Sequence, residues 1–299
     1  MSGSDDPKQD RDAAKAAARD SFHAQRRRAR RDKVQERREK AMKGQGSQPQ
    51  KAAVGDYALG PAIYGLHTVR AALANPKRRV RGLLATQNGL SRLMAELQIP
   101  LPVEPELVLP KKLDQMVGSD AVHQGVVLLV EPIEPLALSD LTLHQTIIVL
   151  DQVTDPHNVG AIMRSAVALR VGAIVTTARH AAAQTGVLAK SASGALDMID
   201  TVEVTNLADA LEKLHGIGFV SVGLDSEGEA DLAQTFADTQ TEAHIAIVMG
   251  AEGKGLRQKT RQTVQHLARL DMPGPIKSLN VSNAAALAAY ALHVRRQSA

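Results

Sequence analysis

Three stretches of the chain concentrate residues able to do chemistry. The first reads Asp151-Gln152-Val153-Thr154-Asp155-Pro156-His157-Asn158-Val159-Gly160, then Ala161-Ile162-Met163-Arg164. Asn158 reads as a helix N-cap. Gly160 and Arg164 are four apart and share a helix face, so Gly160 leaves an open notch one turn before the guanidinium. That arrangement suits an arginine gripping a phosphate with backbone access beside it. The plainer alternative is a capped helix with a surface arginine. The second stretch, Gly250-Ala251-Glu252-Gly253-Lys254-Gly255, permits tight turns and close ligand approach. It matches neither the dinucleotide G-x-G-x-x-G pattern nor a P-loop. A simple strand-to-helix turn would also explain it, although Glu252 inside the turn favours function. The third stretch runs from Asp271 to Asn283, with Pro273, Gly274 and Pro275 fixing its backbone. It ends at a cap, Ser282 or Asn283, before a helix rich in alanine. Small side chains there allow another element to approach closely, or simply reflect helix propensity.

The elements around these stretches explain why they would meet. From Thr146 onward, strand patterns (Ile147–Leu150, Ala173–Thr176, Val202–Val204, Phe219–Leu224, Ile245–Met249, Leu267–Leu270) alternate with helical ones, and Ser282–Arg296 forms a last helix. Such alternation implies an α/β domain with a mostly parallel sheet covered by helices on both faces. Ligands in such sheets bind beyond the C-terminal ends of the strands, where all three stretches fall. Residues 57–131 read as a smaller α/β unit. Its helical patterns are Gly65–Ala74, Leu90–Leu97 and Lys111–Val117, and its strands Val80–Ala85 and Gly125–Val130. The run Glu131-Pro132-Ile133-Glu134-Pro135 opens a linker over residues 132–145, before a domain of residues 146–299.

Composition narrows the classes. At 299 residues there is room for about two domains. Aromatics are 2% with no Trp, which argues against a single-strand binder that stacks bases on aromatic platforms. The absence of cysteine excludes disulfides, thiolate metal sites and cysteine nucleophiles, and fits a reducing compartment. No apolar run reaches membrane-spanning length, and the N-terminus lacks a signal-peptide core. The expectation is a soluble, cytoplasmic protein with no membrane or metal partner. Charge is uneven: 14 of the 36 Lys+Arg and 8 of the 32 Asp+Glu lie in residues 1–50, a net of +6, which leaves −2 for the remainder. Residues 1–53 therefore read as a basic arm, disordered when free and suited to a polyanion such as RNA. A transit peptide is the rival reading, against which the eight acidic residues count. A solvated tail without function is the other.

Taken in order and spacing, the three stretches resemble the motifs of the SpoU/TrmH branch of the SPOUT RNA methyltransferases: N-x-G-x-x-x-R-x-A, G-x-E-G-x-G and S-L-N-V-S-x-A. Ile63-Tyr64-Gly65-Leu66-His67-Thr68-Val69 and Asp120-Ala121-Val122-His123-Gln124-Gly125-Val126 extend the likeness to the N-terminal domain of the RlmB-type 23S rRNA guanosine 2′-O-methyltransferases. The resemblance spans about residues 57–297. It implies a small RNA substrate-binding domain, a catalytic domain with a C-terminal trefoil knot, S-adenosylmethionine as cofactor, large-subunit rRNA as partner, and a homodimer whose active site is completed at the subunit interface. By the same resemblance Gly250, Leu270, Met272, Gly274 and Leu279 hold the cofactor, while Asn158, Arg164, Glu252, Ser278 and Asn280 are catalytic. Two positions depart from the family: Asp271, where proline is frequent, and Ala291 after Tyr290, where an acidic residue is frequent.

The implied reaction moves a methyl group to a ribose 2′-hydroxyl, a poor nucleophile until its proton leaves. Alignment of the reacting atoms supplies roughly 7–11 kcal/mol in favourable cases, and a positioned base roughly 10²–10⁴-fold. The resemblance gives Arg164 the substrate phosphate and the hydroxyl region; His157 is an alternative base. The competing functions are a tRNA ribose methyltransferase and a non-catalytic RNA-binding ribosome assembly factor. The extra N-terminal domain favours rRNA over tRNA, and the intact motif set favours an enzyme.

Overall fold

A computed structural model describes residues 61–298 except 144 and 241–242, so the basic arm lies outside the described residues. The smaller unit has four strands, β1 (Ala62–Tyr64), β2 (Val80–Ala85), β3 (Pro105–Leu107) and β4 (Val126–Val130), in the order β1-β4-β2-β3. β4 runs antiparallel to both neighbours, and β2 is parallel to β3. Helices α1 (Leu66–Ala74), α2 (Gln87–Glu96) and α3 (Pro110–Val117) connect them. Thr86 caps α2 by accepting from the Gly89 N–H, and Pro110 starts α3, where a missing N–H costs nothing. The unbroken apolar run of β4 follows from burial on both faces. Val126, Leu128 and Val130 enter the main core, while Val127 and Leu129 pack on Leu113 and Met116 of α3.

The larger sheet holds seven strands, all parallel: β5 (Thr146–Asp151), β6 (Ala173–Thr177), β7 (Asp200–Val204), β8 (Phe219–Leu224), β9 (Ala230–Asp231), β10 (His244–Gly250) and β11 (His266–Arg269). Their order is β7-β6-β5-β10-β8-β11-β9. Helices α4 (Pro156–Ala168), α5 (Gly186–Ala192), α6 (Leu207–Gly216), α7 (Leu232–Asp238), α8 (Gln258–Thr263) and α9 (Val281–Gln297) accompany them. The period-two alternation of the central strands divides the apolar side chains between two faces. Ile148, Leu150, Ile245 and Ile247 meet α4, α5 and α9, whereas Ile147, Val149, Ala246 and Val248 meet Leu207, Leu211 and Leu214 of α6. Each of these valine, leucine and isoleucine side chains, fully withdrawn from water, contributes about 1.5–3 kcal/mol.

The six expected strands of the larger sheet are present, with ends shifted by one or two residues. The short β1, β3 and β9 have no alternation long enough to announce them. The 132–145 segment is not a loose tether. Leu136 donates its N–H to the Thr201 carbonyl at 2.8 Å and bridges to Val202, and Leu141 is fully buried. The turn before β2 is also ion-paired to the short helical turn before β7. Arg78, with its side chain wholly buried, donates Nε to Asp197 Oδ1 at 2.7 Å and Nη1 to the Glu131 carbonyl at 2.9 Å. Asn75 Nδ2 reaches the same Asp197 oxygen at 3.1 Å. Among the described residues no helix is long and apolar enough to cross a membrane.

Candidate active site

The C-terminal ends of four adjacent strands, β5, β10, β8 and β11, release the loops that build the site. After β5, Asp155 accepts from the His157 N–H at 3.0 Å and Pro156 occupies the first helical position. This corrects the expectation that Asn158 is the N-cap: the Asp-Pro pair starts α4 earlier and frees the Asn158 amide. The notch expected at Gly160 is also corrected. Gly160 is buried, and a Cβ there would lie 2.6 Å from Ser191 Cβ and 2.8 Å from Ala192 N, so α5 fills the space. Glycine is required at that position by helix packing. Arg164 is exposed and makes no hydrogen bond or ion pair with any described residue. His157 Nδ1 lies 3.2 Å from Ser191 Oγ, a contact that explains it structurally.

The loop after β10 folds back on itself. Gly255 and Lys254 donate to the Ala251 carbonyl at 2.9 and 3.2 Å, and Gly253 and Gly255 take positive φ values of 76° and 64°. A Cβ on Gly250 would fall inside the backbone of Gly255 and Leu256. After β11, Lys277 Nζ pins the third loop to the Met272 carbonyl at 2.5 Å. The cap of α9 is Asn280, not Ser282 or Asn283: its Oδ1 accepts from Ser282 N at 2.9 Å and Ser282 Oγ at 2.6 Å. The other half of the same amide joins the remaining loops. Asn280 Nδ2 donates to Asn158 Oδ1 at 3.0 Å and lies 3.4 Å from Glu252 Oε2.

Beside this junction is a cavity of about 540 Å³, within the ordinary range for small-molecule sites. Gly250, Glu252, Leu270, Met272, Ser278 and Leu279 line it. Gly274, Asn158, Arg164 and Asn280 do not, although Asn280 stands between two wall residues, Leu279 and Val281. Asp225 and Glu227, from the loop after β8, complete the wall with Arg261. Arg261 Nη1 reaches Asp225 Oδ2 at 3.4 Å and Glu227 Oε2 at 3.1 Å. Neither acid was singled out from the sequence. β8 neighbours β10, and the rule that ligands sit past the strand ends points to its loop as much as to the other three. The arrangement offers backbone groups, an apolar side, three carboxylates (Asp225, Glu227, Glu252) and three cations (Lys254, Arg261, Lys277), which suits an elongated ligand bearing hydroxyls and charges of both signs.

Comparison with known proteins accounts for this arrangement. Residues 145–290 match the SpoU rRNA Methylase family, and residues 62–136 match the RNA 2′-O ribose methyltransferase substrate-binding family. Among curated proteins, the chain is 36% identical over 238 residues to a 23S rRNA (guanosine-2′-O-)-methyltransferase RlmB of Vibrio vulnificus, covering 76% of this chain and 94% of that one. It is 37% identical over 247 residues to the RlmB of Pseudomonas putida, covering 79% and 96%. Among solved structures, the SpoU methyltransferase AviRb from Streptomyces viridochromogenes shares the fold. Its TM-score is 0.69 at 24% identity, over 83% of this chain and 96% of that one. AviRb has also been solved in complex with AdoMet, with a TM-score of 0.68 at 22% identity, over 83% and 97% of the two chains. With both of its sheets inside family matches and its relatives aligned over nearly their whole lengths, the chain belongs to the SpoU rRNA methylase family and is an RNA ribose 2′-O-methyltransferase.

Proposed function

We propose that the chain methylates the ribose 2′-hydroxyl of a guanosine in 23S rRNA and works as a homodimer. One observation carries the site reading: a single amide, Asn280, ties the three motif loops together beside a cavity walled by two of them. The substrate reading is supported by relatives that act on 23S rRNA guanosine and align across both the small and the large sheet. Residues 57–131 serve as the substrate-binding domain, 132–145 as its connection and 146–299 as the catalytic domain. The loops after β10 and β11 are read as the crossings of the family's trefoil knot.

The cavity fits S-adenosylmethionine. The backbone of Gly250 and the side chains of Leu270, Met272 and Leu279 would hold the adenosine end. Gly274 lies in the third loop outside the cavity wall. Glu252 supplies negative charge for the cationic groups, and Asp225 and Glu227 share theirs with Arg261. When bound, the cofactor supplies an electrophilic methyl group. Arg164 would grip the phosphate next to the target ribose and lower the cost of proton loss from its hydroxyl. Asn158, Glu252, Ser278 and Asn280 would orient the loops and the ribose.

The dimer reading rests on α9. Its buried face is Val281, Ala285, Ala288, Ala289 and Leu292, yet Leu287, Tyr290 and Val294 form a second apolar stripe, 47%, 57% and 41% exposed. An unpartnered stripe beside the site suits a twofold contact, and an active monomer in sedimentation at low concentration would contradict it. Ribose-methylation mapping of rRNA from cells lacking the protein tests the substrate. One guanosine of 23S rRNA should lose its methyl group and regain it on complementation. Loss from tRNA alone, or no loss at all, would refute the proposal.

A further inference from the structure

Asp151, the last residue of β5, has a side chain with no exposure. Its Oδ2 accepts the Arg257 N–H at 2.9 Å and its Oδ1 accepts Arg257 Nε at 2.6 Å. Arg257 stands at the far end of the glycine-rich loop, immediately before α8. The near end of that loop is Gly250, which pairs in register with Asp151 across the β5–β10 ladder. One residue therefore holds both ends: its backbone faces the strand that enters the loop, and its carboxylate holds the residue that leaves it.

Between these ends the loop is anchored by Leu256, buried in the core, and by a bridge between Ala251 and Gly255. Gly250, Gly253 and Gly255 leave its backbone soft, and its internal hydrogen bonds both converge on the Ala251 carbonyl. The return segment must nevertheless press against Gly250 at a distance that leaves no room for a Cβ. A buried carboxylate drawing Arg257 back toward β5 enforces that closure, because charge-assisted hydrogen bonds are short and directional. Loop residues Gly250 and Glu252 face the cavity, and Glu252 approaches Asn280. The position of the loop end is thereby passed to the cavity wall.

We propose that Asp151 is a positioning residue for cofactor binding, acting through Arg257 to hold the Gly250–Leu256 loop in its ligand-ready shape. The inference rests on reading the cavity as the S-adenosylmethionine site. A merely structural ion pair would set how well the protein resists unfolding and nothing more. A positioning pair sets cofactor affinity in protein that is still folded.

The test is calorimetric binding of S-adenosylmethionine to the full-length protein, with KM and kcat measured in parallel. Asp151→Asn can still accept the Arg257 N–H but loses the charge. Its cofactor Kd and KM should rise about 10- to 100-fold, with kcat at saturating cofactor within about threefold of the parent. RNA affinity of the cofactor-free protein should not change. Arg257→Gln, whose side chain is partly exposed and so less exposed to misfolding, should raise Kd similarly. The double variant should be no worse than either single one, since each acts through the other. Leu279→Asp, on the part of the wall that the third loop supplies, checks the cavity assignment independently. Weak cofactor binding in that control with parental Kd in both Asp151→Asn and Arg257→Gln overturns the positioning role alone. Parental binding in the Leu279→Asp protein overturns the cavity assignment and the role that rests on it. A lowered melting temperature with parental Kd and KM would make the pair structural only and also overturn the proposal.

Discussion

Asn280 performs two separable tasks, and substitutions can divide them. Its Oδ1 caps α9, and its Nδ2 holds Asn158 and approaches Glu252. Asn280→Asp keeps a cap acceptor, removes the donor and sets a carboxylate near Glu252. The lost hydrogen bond to Asn158 costs about 0.5–1.5 kcal/mol. Glu252 is exposed, so repulsion between the two carboxylates is screened to about 1 kcal/mol. If the loop junction positions the transition state, the combined penalty of about 1.5–2.5 kcal/mol lowers kcat/KM by about 10- to 70-fold. Asn280→Ala loses the same donor without the repulsion, for about a 2- to 13-fold loss in kcat/KM. It also loses the cap, about 1 kcal/mol, or roughly 2–4 °C in Tm for a unit of this size. The two variants should rank in opposite orders: alanine the less stable, aspartate the less active. Steady-state methyl transfer to deproteinised 23S rRNA and thermal melts of the same preparations provide the comparison. Equal activities, or an aspartate variant more active than the alanine one, would show that the amide only caps the helix.

Three further expectations follow from the same geometry. Arg164→Ala should abolish methyl transfer while leaving S-adenosylmethionine affinity and Tm near those of the parent, because the side chain is exposed and touches no described residue; near-normal turnover would eliminate its proposed role. Deleting residues 1–53 should weaken RNA binding and flatten its salt dependence without changing the nucleotide methylated, since phosphate contacts release counterions but carry little base information; parallel slopes in a salt titration would show that the arm does not touch RNA. Burial pushes the His215 pKa below the ordinary histidine value of 6.5, against an opposing pull from Glu212, and its Nε2 lies 2.7 Å from the buried Ser221 Oγ. The folded state thus prefers the neutral ring. The stability this contributes is present above pH 6.5 and lost as pH falls through the lowered folded value, and Tm measured against pH should be flatter in His215→Gln.

Much of the scaffold was legible because its causes are local. Alternating apolar residues separated by helical runs disclose six strands of the large sheet, whereas α2 starts three residues before the expected Leu90, at the Thr86 cap, and α3 one residue before Lys111, at Pro110. Strands of two or three residues were not legible, since β3 and β9 owe their pairing to neighbours far along the chain. In the site, the residue types of the three motif loops were visible, but their partners were not. Asn158 looked like a cap because nothing in its own segment shows that Asn280 would claim its amide 122 residues later. Gly160 looked like an opening for a ligand because α5, which fills it, carries too few large apolar residues to stand out. Asp225 and Glu227 are not legible because their loop matches no motif; only the place of β8 between β10 and β11 marks it.

The buried pair of Arg78 and Asp197 bears on how such enzymes can be recombined. Arg78 lies in the segment matched by the substrate-binding family and Asp197 in the segment matched by the methylase family. A chimera joined at residues 132–145 would look modular in sequence, yet a replacement half without the matching arginine or aspartate would strand a buried charge. Breaking a buried pair from one side costs about 3–5 kcal/mol, a large part of the 5–15 kcal/mol that typically separates folded from unfolded protein. The N-terminal segment is therefore exchanged without this penalty only for one that carries the matching residue. The donor's arginine and acceptor's aspartate have to travel as a matched set, or both positions must first be made apolar.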